Sequence, residues 1–128
     1  MNKIYNSFLK SQYFSSKYKK YFQVYEQLLC KFINTNFTFV EIGVLNGGSL
    51  LMWRDYFGKN ARIIGIDLNP EIKKFEKDGF EIFIGSQSDP IFWKNFFENI
   101  GKVDVILDDG GHTNEQQIIT TSCCIPNI

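Results

Sequence analysis

Two apolar runs of this chain end in acidic residues that are followed by turns. The first run enters Glu41 and continues through Gly43 to Gly47-Gly48, in the pattern E-x-G-x-x-x-G-G. The second run, residues 63–66, ends in Asp67. In parallel α/β sheets, a glycine-rich turn between strand and helix lets the backbone approach a ligand, and an acid ending the next strand lies beside a ribose. The spacing therefore predicts a pocket for an adenosine-containing cofactor.

The glycine spacing indicates which kind of cofactor the predicted pocket would bind. Dinucleotide folds prefer G-x-G-x-x-G, because the first glycine pair admits a pyrophosphate. Here Glu41 would repel phosphate and suits a cationic or amino-acid-bearing ligand. A nicotinamide-dependent oxidoreductase domain stays an alternative that Asp67 allows and the turn disfavours. A turn that needs its glycines only for packing is the simplest alternative.

A second polar constellation, Asp108-Asp109-Gly110-Gly111-His112, follows another apolar run. Carboxylates are ligands for hard divalent cations, and histidine side chains exchange protons near neutral pH. Taken alone, the motif is a weak signal and favours a polar turn after a strand, or His112 capping the next helix, over a catalytic role.

Strand-like and helix-like segments alternate around these motifs. Residues 1–16 are predicted to be irregular, with a helix start at Ser15-Ser16, and apolar positions at helical spacing predict a helix over 18–33. The predicted strands cover residues 37–42, 62–66, 80–84 and 103–107. Helices are predicted over residues 49–57, 70–78, from Asp89-Pro90 to Gly101, and from Thr113 or Asn114 to about Ser122. This rhythm predicts a Rossmann-like parallel sheet with right-handed crossovers and flanking helices.

Composition indicates one globular domain and gives few hints of a macromolecular partner. The 128 residues are 44% hydrophobic and carry a formal net charge of +0, so nucleic acid and acidic membranes are not expected partners. The basic run at residues 17–20 is interpreted as a solvated helix face. With no signal peptide or spanning segment, and with an odd set of Cys30, Cys123 and Cys124, we expect a cytoplasmic protein with reduced thiols.

Taken together, the motifs resemble those of class I S-adenosylmethionine-dependent methyltransferases. They are most similar to the metal-dependent group containing the macrolide sugar O-methyltransferases and the cephalosporin-hydroxylase-like proteins. The resemblance covers roughly residues 18–122, so 17–128 is expected to be a partial methyltransferase domain. The motifs that carry it, in family order, are Tyr25-Glu26, E-x-G-x-x-x-G-G from Glu41, Gly65-Ile66-Asp67, Gly85-Ser86-Gln87-Ser88-Asp89 and Asp108-Asp109-Gly110-Gly111-His112.

The resemblance implies a role for each residue of the cofactor side. It places the methionine part of S-adenosylmethionine in the turn formed by Glu41, Gly43, Gly47, Gly48 and Ser49. It also implies that Asp67 accepts hydrogen bonds from both ribose hydroxyls, which suits a carboxylate. Ser86 and Gln87 would border the adenine, and Asp108 would lie near the sulfonium carbon.

For the acceptor side, the resemblance implies that Asp109 binds Mg²⁺ and that His112 takes the proton from a sugar or glycoconjugate hydroxyl. It also implies the strand order 3-2-1-4, with the later strands of the family missing after residue 128. We therefore expect a truncated domain with impaired turnover and a fourth strand that is an uncovered edge. Alternatives are a non-catalytic cofactor-binding half-domain completed by a partner chain, or a homo-oligomer pairing along that strand.

Overall fold

The centre of the fold is a four-stranded parallel sheet in the order β3-β2-β1-β4. A computed structural model describes residues 3–11 and 21–128. Its strands are β1 (Thr38–Ile42), β2 (Arg62–Asp67), β3 (Glu81–Ile84) and β4 (Val105–Asp108). Every neighbouring pair is parallel, with Ile42 opposite both Ile66 and Asp108. The predicted sheet and strand order are confirmed, and all four carboxyl ends meet at one edge.

Helices cover both faces of this sheet. They are α1 (Lys3–Lys10), α2 (Tyr21–Leu29), α3 (Gly48–Phe57), α4 (Pro90–Ile100) and α5 (Asn114–Cys124). Short 3-10 segments cover Cys30–Phe32, Pro70–Asp78 and Ile125–Asn127. In the described part of the chain, no helix has both the length and the apolar character needed to cross a bilayer.

The core has two layers, one on each side of β1. Phe39 packs with Trp53 and Phe57 of α3, while Val40 packs on the opposite side with Trp93 and Phe96 of α4. Successive side chains of a strand point to opposite faces, and residues 39–42 are all buried. Burial on both faces is expected for a central parallel strand.

The prediction that residues 1–16 are irregular is wrong for the part that the structure describes. Lys3–Lys10 form α1, which buries Ile4 and Ser7 against α3. Ser7 Oγ donates to Asp55 Oδ2 at 2.5 Å, and Lys3 Nζ donates to the Tyr56 carbonyl at 3.1 Å. The apolar stripe is only two turns long, so packing on α3 rather than local propensity determines the helix.

The predicted helix over 18–33 is confirmed only in part. Within the described residues, α2 begins at Tyr21 and gives way to a 3-10 turn at Cys30. The predicted start at Ser15-Ser16 and the basic run 17–20 lie outside the described residues. The predicted helix over 70–78 is likewise a 3-10 helix.

The predicted helix starts after the second, third and fourth strands are confirmed by their caps. Asn69 accepts a hydrogen bond from the Glu71 amide at 3.0 Å, and Asp89 accepts one from Ile91 at 2.9 Å. Thr113 and Gln116 form a reciprocal capping box at the start of α5. Each cap satisfies amides that the first helical turn leaves without partners.

Candidate functional site

A cavity of about 260 Å³ opens at the carboxyl edge of the sheet. Its walls come from the turns that follow all four strands, which is where open α/β sheets bind ligands. The lining residues are Ile42, Gly43, Leu45, Ile66, Asp67, Leu68, Gly85, Ser86, Gln87, Asp109, Gly110, Gly111 and Gln116.

Gly43 brings the turn after β1 against the turn after β4. Its φ is +87°, a conformation that side chains strain, and a Cβ there would lie 2.5 Å from the Asp109 carbonyl oxygen. The Asp109 amide donates to the Ile42 carbonyl at 2.9 Å, and the Gly43 amide donates to Ile66 at 2.8 Å. Only a glycine allows these two turns to approach so closely.

Asp67 closes the glycine-rich turn from the end of β2. Its Oδ2 accepts hydrogen bonds from the amides of Val44 at 2.8 Å and Leu45 at 3.3 Å. Its Oδ1 accepts from the Asn69 amide at 3.0 Å. A carboxylate has about four acceptor positions, so these three bonds leave capacity on a group that lines the cavity.

Leu45 has a strained backbone at the rim of this cavity. Its φ is +53°, in the left-handed region that leucine rarely adopts, and its side chain is exposed. Such strain persists only where the surroundings hold it, and the bond to Asp67 is one such restraint.

The rest of the predicted turn lies behind the cavity wall. Gly47 has a φ of +81°, and a Cβ on it would lie 2.6 Å from the Phe75 ring. Gly48 and Ser49 begin α3 and are buried, and Ser11 Oγ donates to the Gly48 carbonyl at 2.8 Å. The side chain of Glu41 is fully buried and is not part of the cavity lining.

Gln87 joins the turn after β3 to the turn after β4. Its Nε2 donates to Asp108 Oδ2 at 3.1 Å and to Thr120 Oγ1 at 3.0 Å, while its Oε1 accepts from the Gly111 amide at 2.8 Å. Its backbone carbonyl accepts from the Trp93 indole at 2.8 Å. The side chain is therefore fixed by the protein on every side.

The turn after β4 carries the remaining predicted residues. Asp108 Oδ1 accepts from the Gly110 amide at 3.0 Å, and Asp109 lines the cavity. His112 is exposed, immediately before the N-cap of α5, and is not part of the cavity lining. Across residues 3–11 and 21–128, no three His, Cys, Asp or Glu side chains are grouped so that they could hold a metal ion.

Five predicted residues share the cavity wall, and sequence reasoning missed three others of interest. The five are Gly43, Asp67, Ser86, Gln87 and Asp109. Those missed are Leu45, Leu68 and Gln116. The position of Leu68 directly after Asp67 was a usable signal, whereas no local pattern marks Gln116 beyond its capping role.

The sheet order, the glycine-rich turn and the acid that ends β2 define a Rossmann-like domain. No protein-family model matches the sequence.

The sequence is similar to curated sugar O-methyltransferases. It is 30% identical to the 8-demethyl-8-alpha-L-rhamnosyl tetracenomycin-C 2'-O-methyltransferase of Streptomyces olivaceus, over 84% of this chain and 30% of that protein. It is 28% identical to the mycinamicin VI 2''-O-methyltransferase of Micromonospora griseorubida, over 94% of this chain and 32% of that protein. The chain spans about a third of the length of these relatives.

Solved structures agree on the fold. The MycE methyltransferase, crystallised with Mg, SAH and mycinamycin VI, superposes with a TM-score of 0.82 at 21% identity, over 99% of this chain and 34% of that chain. A 2-keto-3-deoxy-D-gluconate dehydrogenase from Streptococcus agalactiae gives a TM-score of 0.55 at 15% identity, over 80% of this chain and 50% of that chain. The homologues of this chain are therefore sugar O-methyltransferases, and the chain has the corresponding part of their fold.

Proposed function

We propose that this chain carries the cofactor side of an S-adenosylmethionine-dependent O-methyltransferase that acts on a sugar hydroxyl. The observation that carries the proposal is the cavity at the carboxyl edge, where the Gly43 turn and the Asp67 carboxylate lie side by side. The curated relatives, which methylate sugars of tetracenomycin and macrolide compounds by name, support this choice of chemistry and of acceptor class.

For the cofactor, we assign the ribose to Asp67 and the methionine part to the turn of Gly43, Gly47, Gly48 and Ser49. The remaining acceptor position of Asp67 suits a ribose hydroxyl donor, and Gly43 lies beside it on the cavity wall. Ser86 lies on the cavity wall where an adenine would reach. Asp108, with Oδ1 and Oδ2 both held by the protein, would place its negative charge near a sulfonium.

For the acceptor, we assign proton removal to His112. S-adenosylmethionine, when bound, supplies the methyl group and leaves as the neutral thioether. The hydroxyl oxygen forms the new bond to the methyl carbon, and its proton passes to the His112 imidazole. Asp109 is proposed as one oxygen ligand of a Mg²⁺ ion, whose other positions water and substrate oxygens would fill.

Methyl transfer from labelled S-adenosylmethionine to rhamnosyl and macrolide glycosides, with Mg²⁺ present, tests this proposal. We expect His112→Ala to lower turnover by at least about a hundredfold, the usual scale for losing a general base. Asp109→Asn should raise the Mg²⁺ requirement. Glu115→Gln, an exposed acid on α5, is the matched control and should change neither value. Turnover that is unaffected by both His112→Ala and Asp109→Asn would refute the assignment.

A cofactor-binding half-domain completed by another chain or segment is the second candidate. It is favoured by β4, whose outer side has no strand partner within the described sheet and whose apolar residues Val105, Ile106 and Leu107 are only partly buried. Cofactor binding without turnover, together with a dimeric mass in light scattering, would favour this candidate.

The three cysteines are free thiols, which suits the cytoplasmic location expected from the sequence.

A further inference from the structure

The carboxamide of Gln87 has no donor left for a ligand. An amide nitrogen carries two hydrogens, and those of Gln87 are directed to Asp108 Oδ2 and Thr120 Oγ1. The orientation is fixed by chemistry, because exchanging Oε1 and Nε2 would place an oxygen against the Asp108 carboxylate and an N–H₂ against the Gly111 amide. Gln87 is only 6% exposed.

The same side chain determines the path of the turn that follows β4. A Cβ on Gly110 would lie 2.4 Å from Gln87 Oε1, and one on Gly111 would lie 2.1 Å from Gln116 Nε2. Gly110 and Gly111 of the Asp108–His112 turn therefore leave the room that the side chains of Gln87 and Gln116 occupy. Gln87 also fixes the charged end of the turn, through Asp108.

We infer that Gln87 is a positioning residue, which holds the Asp108–His112 turn in place for methyl transfer, and is not a ligand of the adenine. The role of this turn in methyl transfer rests on the proposed function, whereas the contacts of Gln87 do not. Thr120 also holds Gln87, because its hydroxyl accepts from Gln87 Nε2 and donates to the Gln87 carbonyl at 3.1 Å. These bonds connect the turn after β3 with the turn after β4 and with α5.

Gln87→Met removes every side-chain hydrogen bond at similar volume, and Gln117→Met, at an exposed position on α5, is the matched control. In Gln87→Met we expect the Gly111 amide to exchange with solvent about tenfold faster, as for the loss of one buried hydrogen bond. The core amide of Ile64 should keep its rate. His112 is the sole histidine, so its ring C–H signal reports the turn directly and should shift in Gln87→Met but not in Gln117→Met.

Titration with S-adenosylhomocysteine separates positioning from cofactor contact. Affinity should stay within about threefold in Gln87→Met, a change below 1 kcal/mol. An unchanged Gly111 rate with cofactor affinity reduced tenfold or more would make Gln87 an adenine ligand and overturn the inference.

If Gln87→Met fails to fold, NMR of the wild-type chain tests the same inference. The Gln87 side-chain N–H₂ signals should be protected from exchange and should not move when S-adenosylhomocysteine is added, and a large movement would overturn the inference. A wild-type chain that binds no S-adenosylhomocysteine would count against the proposed function, while the Gly111 rates would still decide the role of Gln87.

Discussion

Asp67 Oδ2, at the end of β2, accepts a 2.8 Å hydrogen bond from the amide of Val44, in the turn after β1. The acid that sequence reasoning assigns to a ribose thus also organises the turn that would hold the rest of the cofactor. The same oxygen accepts from the amide of Leu45, whose backbone is strained. Loss of the carboxylate should therefore affect the shape of the site as well as one ligand contact.

Asp67→Asn tests this double role. The amide group keeps the size of the side chain but has one acceptor oxygen instead of two, so the Val44 and Leu45 amides and the ribose hydroxyls must compete for it. We expect affinity for S-adenosylhomocysteine, measured by calorimetry, to fall by at least about tenfold, equivalent to one charge-assisted hydrogen bond. Glu98→Gln, an exposed acid on α4, serves as the control. Equal affinity in the two variants would contradict the role given to Asp67.

Gly43→Ala tests the close approach of the two turns. The matched variant is Gly79→Ala, because Gly79 has a similar φ of +92° but no atom within 4 Å of the place that a Cβ would occupy, so it carries the backbone strain alone. We expect Gly79→Ala to lower the free energy of unfolding by about 1 kcal/mol and Gly43→Ala by about 2 kcal/mol or more. Urea denaturation measures both. A Gly43→Ala loss no larger than the Gly79→Ala loss would show that the turns are not in contact.

Thr120 offers a test of the buried polar network around Gln87. Thr120→Val keeps the shape but removes the hydroxyl, which leaves Gln87 Nε2 and the Gln87 carbonyl each with one bond fewer. We expect a loss of about 1–3 kcal/mol in the free energy of unfolding, because one N–H of the buried Gln87 carboxamide is left without an acceptor. Thr120→Ser keeps the hydroxyl and should lose less. If the valine variant is the more stable of the two, the network contributes little.

Cys124 predicts a pH dependence. Burial, with smaller contributions from Cys123 and Asp108, raises its pKa from 9.0 to about 12. The folded state therefore keeps a proton that the unfolded state releases near pH 9, and this contribution to stability should be lost as the pH rises from about 9 to about 12.

The burial of Cys124 can also be tested by thiol labelling. At pH 8, iodoacetamide followed by mass spectrometry should modify the exposed Cys30 first and Cys124 only after unfolding. Equal labelling of both thiols in the folded protein would contradict the burial of Cys124.

The sequence predicted those parts of the fold that depend on local patterns. The apolar runs before Asp67 and Asp108, and the caps at Asn69 and Asp89, locate strands and helix starts because both are properties of adjacent residues. The helix α1 was not predicted, because it is stabilised by contacts of Ile4 and Ser7 with α3, some fifty residues away. Pairing across that distance leaves no local pattern.

The same distinction applies to the candidate site. Gly43, Asp67 and Asp109 were predictable because strand ends collect at one edge of a parallel sheet. The inward bonding of Gln87 was not, because its partners Asp108, Gly111 and Thr120 lie 21 to 33 positions further along the chain. A polar residue near a predicted site can bind the ligand or support the residues that do, and only the fold distinguishes these roles.

Calorimetric titration of the chain with S-adenosylhomocysteine and, separately, with NAD tests the central claim most directly. NAD is the relevant competitor, because an acid that ends β2, as Asp67 does, also suits the ribose of a dinucleotide. We predict saturable binding of S-adenosylhomocysteine at one site, weakened by Asp67→Asn, and no measurable binding of NAD. Saturable binding of NAD without binding of S-adenosylhomocysteine would contradict the assignment of this cavity to a methyl donor.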